Sequence, residues 1–281
     1  MDNKKIVWLA SYPKSGNTWF RAFITALLQD GELDINNLKS DGIFSSRRLF
    51  DEHTGLNSTL FTDEEVKLLQ PAVIDRLAVT LNQQHLFMKV HDAYTFNRDG
   101  QPIIPTTSTL CAIYFIRNPL DIAGSLANHK DSSLDEAIAL INNPEGKFSR
   151  QDDNLNTNMQ FTQLMLNWSG HVKSWTDDLP FPVLVLRYED MLADTYTTFS
   201  KALNFIGINA TQQQIETAIA ASSFEQLQQK EKEQGFAEKN KNTLFFRQGK
   251  AGGWKNELNT NQVSLITSPH KTLMRKYGYM Q

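Results

Sequence analysis

The chain has 281 residues, 40% hydrophobic and 21% charged, with a formal net charge of −3. That is material enough for one large domain or two small ones, and the slightly acidic balance argues against a general nucleic-acid binder, which carries a basic excess. A single cysteine, Cys111, excludes an internal disulfide framework, and no run approaches the ~18 apolar residues of a membrane span.

Met1-Asp2-Asn3-Lys4-Lys5 precedes only a short apolar run, unlike a secretory signal. A soluble, cytoplasmic protein with no membrane partner is expected. Ile6–Ala10 reads as a buried strand, and Phe20, Phe23, Ile24, Leu27 and Leu28 as the apolar face of the helix that follows. Residues 31–62 are polar and weakly periodic, carrying Asp41-Gly42 and Thr54-Gly55. A helix over 64–81, a strand over 86–90, a strand over 110–116 that holds Cys111, and a helix over 119–128 come next. Residues 142–158 read as a loop. Phe161, Leu164, Met165, Trp168, Val172, Trp175 and Leu179, spaced three or four apart, predict a helix. A strand over 183–187, helices over 196–206 and 211–220, and a charged loop over 226–242 complete the pattern. Alternating strands and helices predict an α/β fold: an open, mostly parallel central sheet flanked by helices, in one domain spanning 1–281.

The residues Tyr12-Pro13-Lys14-Ser15-Gly16-Asn17-Thr18-Trp19 join the first strand to the first helix. Such a glycine turn at a helix N-terminus is an anion site, because backbone N–H groups and the helix dipole face the ligand. Lys14, Ser15 and Thr18 lie where a phosphate or sulfate would sit, and Trp19 offers a flat face for a ring. The ATP-type loop G-x-x-x-x-G-K-[ST] does not match, since Lys14 precedes Gly16. Lys14, His91, Arg117 and Tyr188 each stand at the end of a predicted strand, where open α/β sheets bind ligands, so one shared crevice is expected.

The eight-residue segment resembles the 5′-phosphosulfate loop of sulfotransferases, which use 3′-phosphoadenosine 5′-phosphosulfate (PAPS) as sulfuryl donor. Arg117-Asn118-Pro119-x-Asp121 with Ser125 is similar to the family segment whose Arg and Ser hold the 3′-phosphate. The segment Phe246 to Asn256 resembles the family's Arg-Lys-Gly-x-x-Gly-Asp-Trp-Lys. Arg247, Gly249, Gly252, Trp254 and Lys255 match, whereas Gln248 and Gly253 depart, Gln248 removing a positive charge from the 3′-phosphate cluster. The resemblance places Trp19, Tyr188, Ser222 and Phe224 around the adenine. Met88-Lys89-Val90-His91 is similar to the Lys-Thr-His segment of hydroxyl-directed members, which makes His91 the base and Lys14 the group that stabilises the leaving oxygen.

What the resemblance implies is a soluble enzyme of the cytosolic type, similar to bacterial small-molecule sulfotransferases. It would have a P-loop-like PAPS-binding fold and release adenosine 3′,5′-bisphosphate. The acceptor would be a small-molecule hydroxyl, with Phe44, Phe50, Tyr94 and Phe96 either lining its pocket or packing the core. No metal is implied: His53, His85, His129, His171 and His270 lack zinc-ligand spacing. The family's dimer segment is altered, with Asn259, Thr260 and Ser264 in place of Thr, Val and Glu, so the oligomeric state is left open. Two other readings stay open on the residues alone: a kinase with a variant phosphate loop, dependent on ATP and Mg²⁺, and a nucleotide-binding module without catalysis.

Overall fold

The structure is a computed structural model and describes residues 4–148, 160–239 and 244–281. It divides into two compact units. One comprises Met1–Tyr12, Ser40–Tyr114 and Pro144–Val185; the other comprises Pro13–Lys39, Phe115–Asn143 and Leu186–Gln281. Among the described residues the strands are β1 (Ile6–Ser11), β2 (Gly42–Ile43), β3 (Leu86–Val90), β4 (Thr109–Ile116), β5 (Lys147–Phe148), β6 (Gln163–Leu164) and β7 (Val183–Arg187). Five form one sheet in the order β2-β3-β1-β4-β7, and β5 pairs with β6 in a separate antiparallel ladder.

β1 is parallel to β3, with Ile6 opposite Leu86 and Ala10 opposite Val90, and β2 is parallel to β3 on its other side. Every residue of β1 is buried, as expected of a strand covered on both faces. Trp8 fills the first unit's core: its indole Nε1 donates to Thr109 Oγ1 at 2.9 Å and its ring meets the edge of Phe44. Gly42 is closely packed: a Cβ there would stand 2.7 Å from the tips of the Leu49 and Met88 side chains, which would have to shift. Cys111 is buried, and burial pushes its thiol up to about 12, the inert thiol its apolar strand predicts. The helices of this unit are α2 (Arg47–Thr54), α3 (Asp63–Thr80) and α6 (Trp168–Thr176).

The second unit holds α1 (Asn17–Leu28), α4 (Pro119–Lys130), α5 (Leu134–Asn142), α7 (Tyr188–Ala193), α8 (Thr195–Ile206), α9 (Gln212–Ala221), α10 (Phe224–Gln234), α11 (Trp254–Glu257) and α12 (Thr260–Lys276). Phe20 and Phe23 of α1 pack on Phe115 and Phe199, the Phe23 and Phe199 ring centroids standing 4.5 Å apart. Leu28, assigned to that apolar face, is 50% exposed at the last turn.

The helix expected over 161–179 is confined to α6. Upstream of it the backbone is held by other partners: Leu164 N–H donates to Asp92 Oδ1, Met165 N–H donates to the Gly146 carbonyl, and Leu166 turns through φ +56°. Asn167 then caps α6 by accepting from Gly170 N–H. The stretch over 31–62, read as irregular, contains β2 and α2. The loop expected over 226–242 is helical through Gln234, and its residues 240–242 lie outside the described residues. Of the loop expected over 142–158, residues 149–158 likewise lie outside them.

Candidate active site

β1 runs into Pro13–Gly16, and two residues of this turn, Lys14 at φ +69° and Gly16 at φ +102°, adopt left-handed backbone. Gly16 answers two constraints: the conformation, and the approach of Tyr188, whose Cδ2 would lie 2.8 Å from a Cβ. Gly16 is the N-cap of α1 and supplies no side-chain cap. Every other described helix of eight residues or more has one, from Ser46 on α2 to Asn259 on α12. Trp19 N–H turns back to the Gly16 carbonyl at 3.0 Å, and with no side-chain cap this terminus can present first-turn N–H groups to an acceptor from outside the helix. Ser15 Oγ is buried beside it with no hydrogen-bond partner among the described residues, a cost of about 1–3 kcal/mol unless a ligand satisfies it. Those two observations fit an anion.

Cations stand around this turn. Lys14 Nζ lies 3.6 Å from the Phe245 ring centroid. Arg117, just after β4, donates Nη1 to the Lys14 carbonyl at 3.0 Å and Nη2 to the Lys250 carbonyl at 3.1 Å. Its guanidinium carbon is 4.3 Å from the Tyr188 ring centroid, and its buried Nε has no partner among the described residues. Arg117 does not pair with Asp121. Instead Asp121 accepts from Gly252 N–H at 2.8 Å and from Trp254 N–H at 3.1 Å, tying the glycine-rich segment to the first turn of α4. Within that segment Gly249 has φ +60°, and a Cβ there would collide with the Phe224 ring. Arg247 and Gln248 both donate to Glu257 Oε1, at 2.9 and 3.0 Å.

The second unit thus gathers Lys14, Ser15, Gly16, Arg117, Tyr188, Phe224 and Gly249. Trp19 meets Tyr188 and Phe199 edge-on, at 6.1 and 5.5 Å. Asn17 and Thr18 are buried in the first turn of α1. Ser222 is buried, and its hydroxyl donates to the Ala218 carbonyl at 2.7 Å, leaving it able to accept but not to donate elsewhere. Ser125 lies half-buried on α4. Glu257 carries no sequence signal, because it belongs to no recognisable spacing.

His91 lies in the first unit, just after β3. Its Nδ1 is 2.8 Å from the Ser11 carbonyl and 3.1 Å from Ser11 Oγ. A carbonyl only accepts, so this network assigns the proton to Nδ1 and the lone pair to Nε2. The His91 carbonyl accepts from His171 Nε2 at 3.0 Å, and His171 Nδ1 faces Tyr114 Oη at 2.8 Å. Burial pushes the His171 imidazole down to about 4, so it is neutral and accepts from the tyrosine. Asp92 is buried next to His91, and burial pushes its carboxyl up to about 7 against the opposing pull of the Leu164 N–H. Phe44 and Phe50 pack in the core of this unit, while Phe96 is 62% exposed with its ring edge-on to Tyr94.

The sulfotransferase domain family matches residues 4–278. The chain belongs to the sulfotransferase family. Among curated relatives, the flavonol 3-sulfotransferase of Flaveria bidentis is 27% identical over 92% of this chain and 78% of its own length. Cytosolic sulfotransferase 17 of Arabidopsis thaliana is 22% identical, over 97% and 75%. Among solved structures, retinol dehydratase in complex with androsterone and the inactive cofactor PAP aligns over 98% of this sulfotransferase and 81% of its own chain, with a TM-score of 0.62 and 18% identity. That structural likeness shows the α/β fold is shared.

Proposed function

We propose that this sulfotransferase moves a sulfuryl group from PAPS to a hydroxyl of a small molecule, acting as one catalytic domain. The observation that carries this reading is the α1 N-terminus, which lacks the side-chain cap of the other long helices and stands beside the buried Ser15 hydroxyl and the Lys14 and Arg117 cations. Ser15, Gly16, Asn17 and Thr18 hold the 5′ end of the nucleotide through first-turn N–H groups and hydroxyls. Arg117, Ser125, Arg247, Gln248 and Gly249 receive the 3′-phosphate, and Trp19, Tyr188, Ser222 and Phe224 receive the adenine.

Bound PAPS supplies an activated sulfur atom and a bridging oxygen that leaves with adenosine 3′,5′-bisphosphate. His91 Nε2 takes the proton of the acceptor hydroxyl as its oxygen bonds to sulfur in line with the breaking bond. Nδ1, held by the Ser11 carbonyl, keeps the tautomer this requires. The Lys14 ammonium stabilises the charge that collects on the bridging oxygen. Positioning and fixed charge do the work, as in phosphoryl transfer, and the scheme calls on no metal. The flavonol substrate in the name of one relative supports a small-molecule acceptor, and the exposed Phe96 ring, edge-on to the half-buried Tyr94, offers an apolar surface for it. A cytoplasmic location is supported by the relative named as cytosolic; no described helix is long and apolar enough to cross a membrane.

Calorimetric titration with adenosine 3′,5′-bisphosphate, beside ATP with Mg²⁺, tests the reading. Micromolar binding of the bisphosphate supports it and justifies screening hydroxyl acceptors with PAPS. Binding of ATP–Mg²⁺ without the bisphosphate would overturn it in favour of a kinase.

A further inference from the structure

The Glu257 carboxylate occupies the donors that the proposed function gives to a phosphate. Its Oε1 accepts from Arg247 Nη2 at 2.9 Å and from Gln248 Nε2 at 3.0 Å. Its Oε2 packs onto α4 at Gly124, where any Cβ would collide with it. Gly124 immediately precedes Ser125. One carboxylate therefore lies among Arg247, Gln248 and the backbone beside Ser125, all within the second unit. The pair is partly shielded, with the Arg247 and Glu257 side chains 38% and 24% exposed.

We propose that Glu257 is a specificity-determining residue that competes with the cofactor's 3′-phosphate for Arg247 and Gln248. The inference rests on the sulfotransferase reading of Arg247. A carboxylate and a phosphate seek the same forked donors, and two anions repel at short range. A 3′-phosphate at Arg247 either displaces Glu257 from the Nη2 donor it holds or sits on the remaining guanidinium N–H groups with the carboxylate charge beside it. A nucleotide with a bare 3′-hydroxyl makes no such demand, since it leaves the Arg247–Glu257 pair intact. Glu257 thereby narrows the advantage of 3′-phosphorylated over 3′-unphosphorylated adenine nucleotides. Gln248 acts in the same direction: where the family pattern has Lys, a neutral amide shares the carboxylate with Arg247 and brings no charge of its own.

The test is the ratio of affinities for adenosine 3′,5′-bisphosphate and adenosine 5′-monophosphate, measured by calorimetry on the full chain and on Glu257→Gln. The amide keeps the side-chain volume and an acceptor for Arg247 but removes the negative charge. The ratio is expected to rise about fivefold or more, the scale set by one partly exposed ion pair together with relief of anion repulsion. Affinity for the monophosphate should stay unchanged, which also certifies the fold of the variant. A second substitution, Gln248→Lys, should raise the same ratio. An unchanged ratio in Glu257→Gln, with the bisphosphate binding both proteins, would overturn this inference and leave the sulfotransferase reading intact. If the wild-type protein bound neither nucleotide, that underlying reading would fail, and this inference with it.

Discussion

The guanidinium of Arg117 holds the main-chain carbonyl of Lys14 at 3.0 Å, so the side chain assigned to the 3′-phosphate also fixes the backbone from which the Lys14 ammonium projects. Its other arm reaches the Lys250 carbonyl, and its face lies over Tyr188. A lysine cannot make two divergent bonds and a planar stack at once. Arg117→Lys is therefore expected to weaken bisphosphate binding about tenfold or more and to lower kcat as well, because Lys14 loses its anchor. Calorimetry and steady-state kinetics on one preparation separate the two losses; a variant with weakened binding and wild-type kcat would refute the coupling.

His91 and Lys14 should part company in binding. Removing either imidazole or ammonium is expected to lower turnover by about 10²–10⁴-fold, the usual range for a lost general base or oxyanion partner. His91→Ala should still bind adenosine 3′,5′-bisphosphate with wild-type affinity, whereas Lys14→Ala should not. Wild-type turnover by His91→Ala would remove it from the mechanism.

Gly249 and Phe224 form a coupled pair. Gly249→Ala imposes a left-handed alanine, at about 1–2 kcal/mol, and drives a methyl into the Phe224 ring. Phe224→Ala opens space for that methyl. Thermal melts of the two single variants and the double variant should show the double losing less than the sum. Strict additivity would mean that the ring does not constrain the glycine.

Stability should carry a mark of the buried histidines. Burial pushes both His171 and His270 down to about 4. The unfolded chain takes up these protons near pH ~6.5, so between there and ~4 the unfolded state binds more protons and stability falls as pH falls. The slope is about 1.4 kcal/mol per pH unit for each histidine. Asp92, raised to about 7, and Glu189, also raised by burial, act in the opposite sense: their share of stability is lost as pH rises. His270 Nε2 donates to Asn142 Oδ1 at 3.1 Å, and His270→Gln keeps a donor there while removing one titration. Between pH ~6.5 and ~4 the variant should become steadily more stable relative to the wild type as pH falls, read as the difference between their urea midpoints. Parallel curves would contradict the assignment.

Much of this architecture could be read from the residues because strand and turn chemistry coincide in them. Ile6–Ala10 is an unbroken apolar run that leads into a Pro-Lys-Ser-Gly turn, and Pro119 marks the start of α4 as clearly. The pattern failed where packing overrode period. Phe161, Leu164 and Met165 keep helical spacing and are buried or partly buried, yet their backbone N–H groups donate to the Ser45 carbonyl, to Asp92 Oδ1 and to the Gly146 carbonyl. The polar helix α10 escaped notice because few apolar residues mark its buried face. It is fixed by Leu227 and by Glu231, which accepts from Phe245 and Phe246 N–H. Glu257 was invisible for a related reason: a lone carboxylate acquires meaning only when its partners, ten and nine residues away, turn back onto it.

The bare N-terminus of α1 has a consequence for anyone engineering this enzyme. Installing serine or aspartate ahead of a helix is among the safest stabilising changes elsewhere. At Gly16 it would meet the Tyr188 ring and a left-handed backbone, and a successful cap would sit in the place proposed for the nucleotide's 5′ end. Sturdiness and receptivity are alternatives at this one position, so a screen for heat resistance alone would select against the proposed cofactor site.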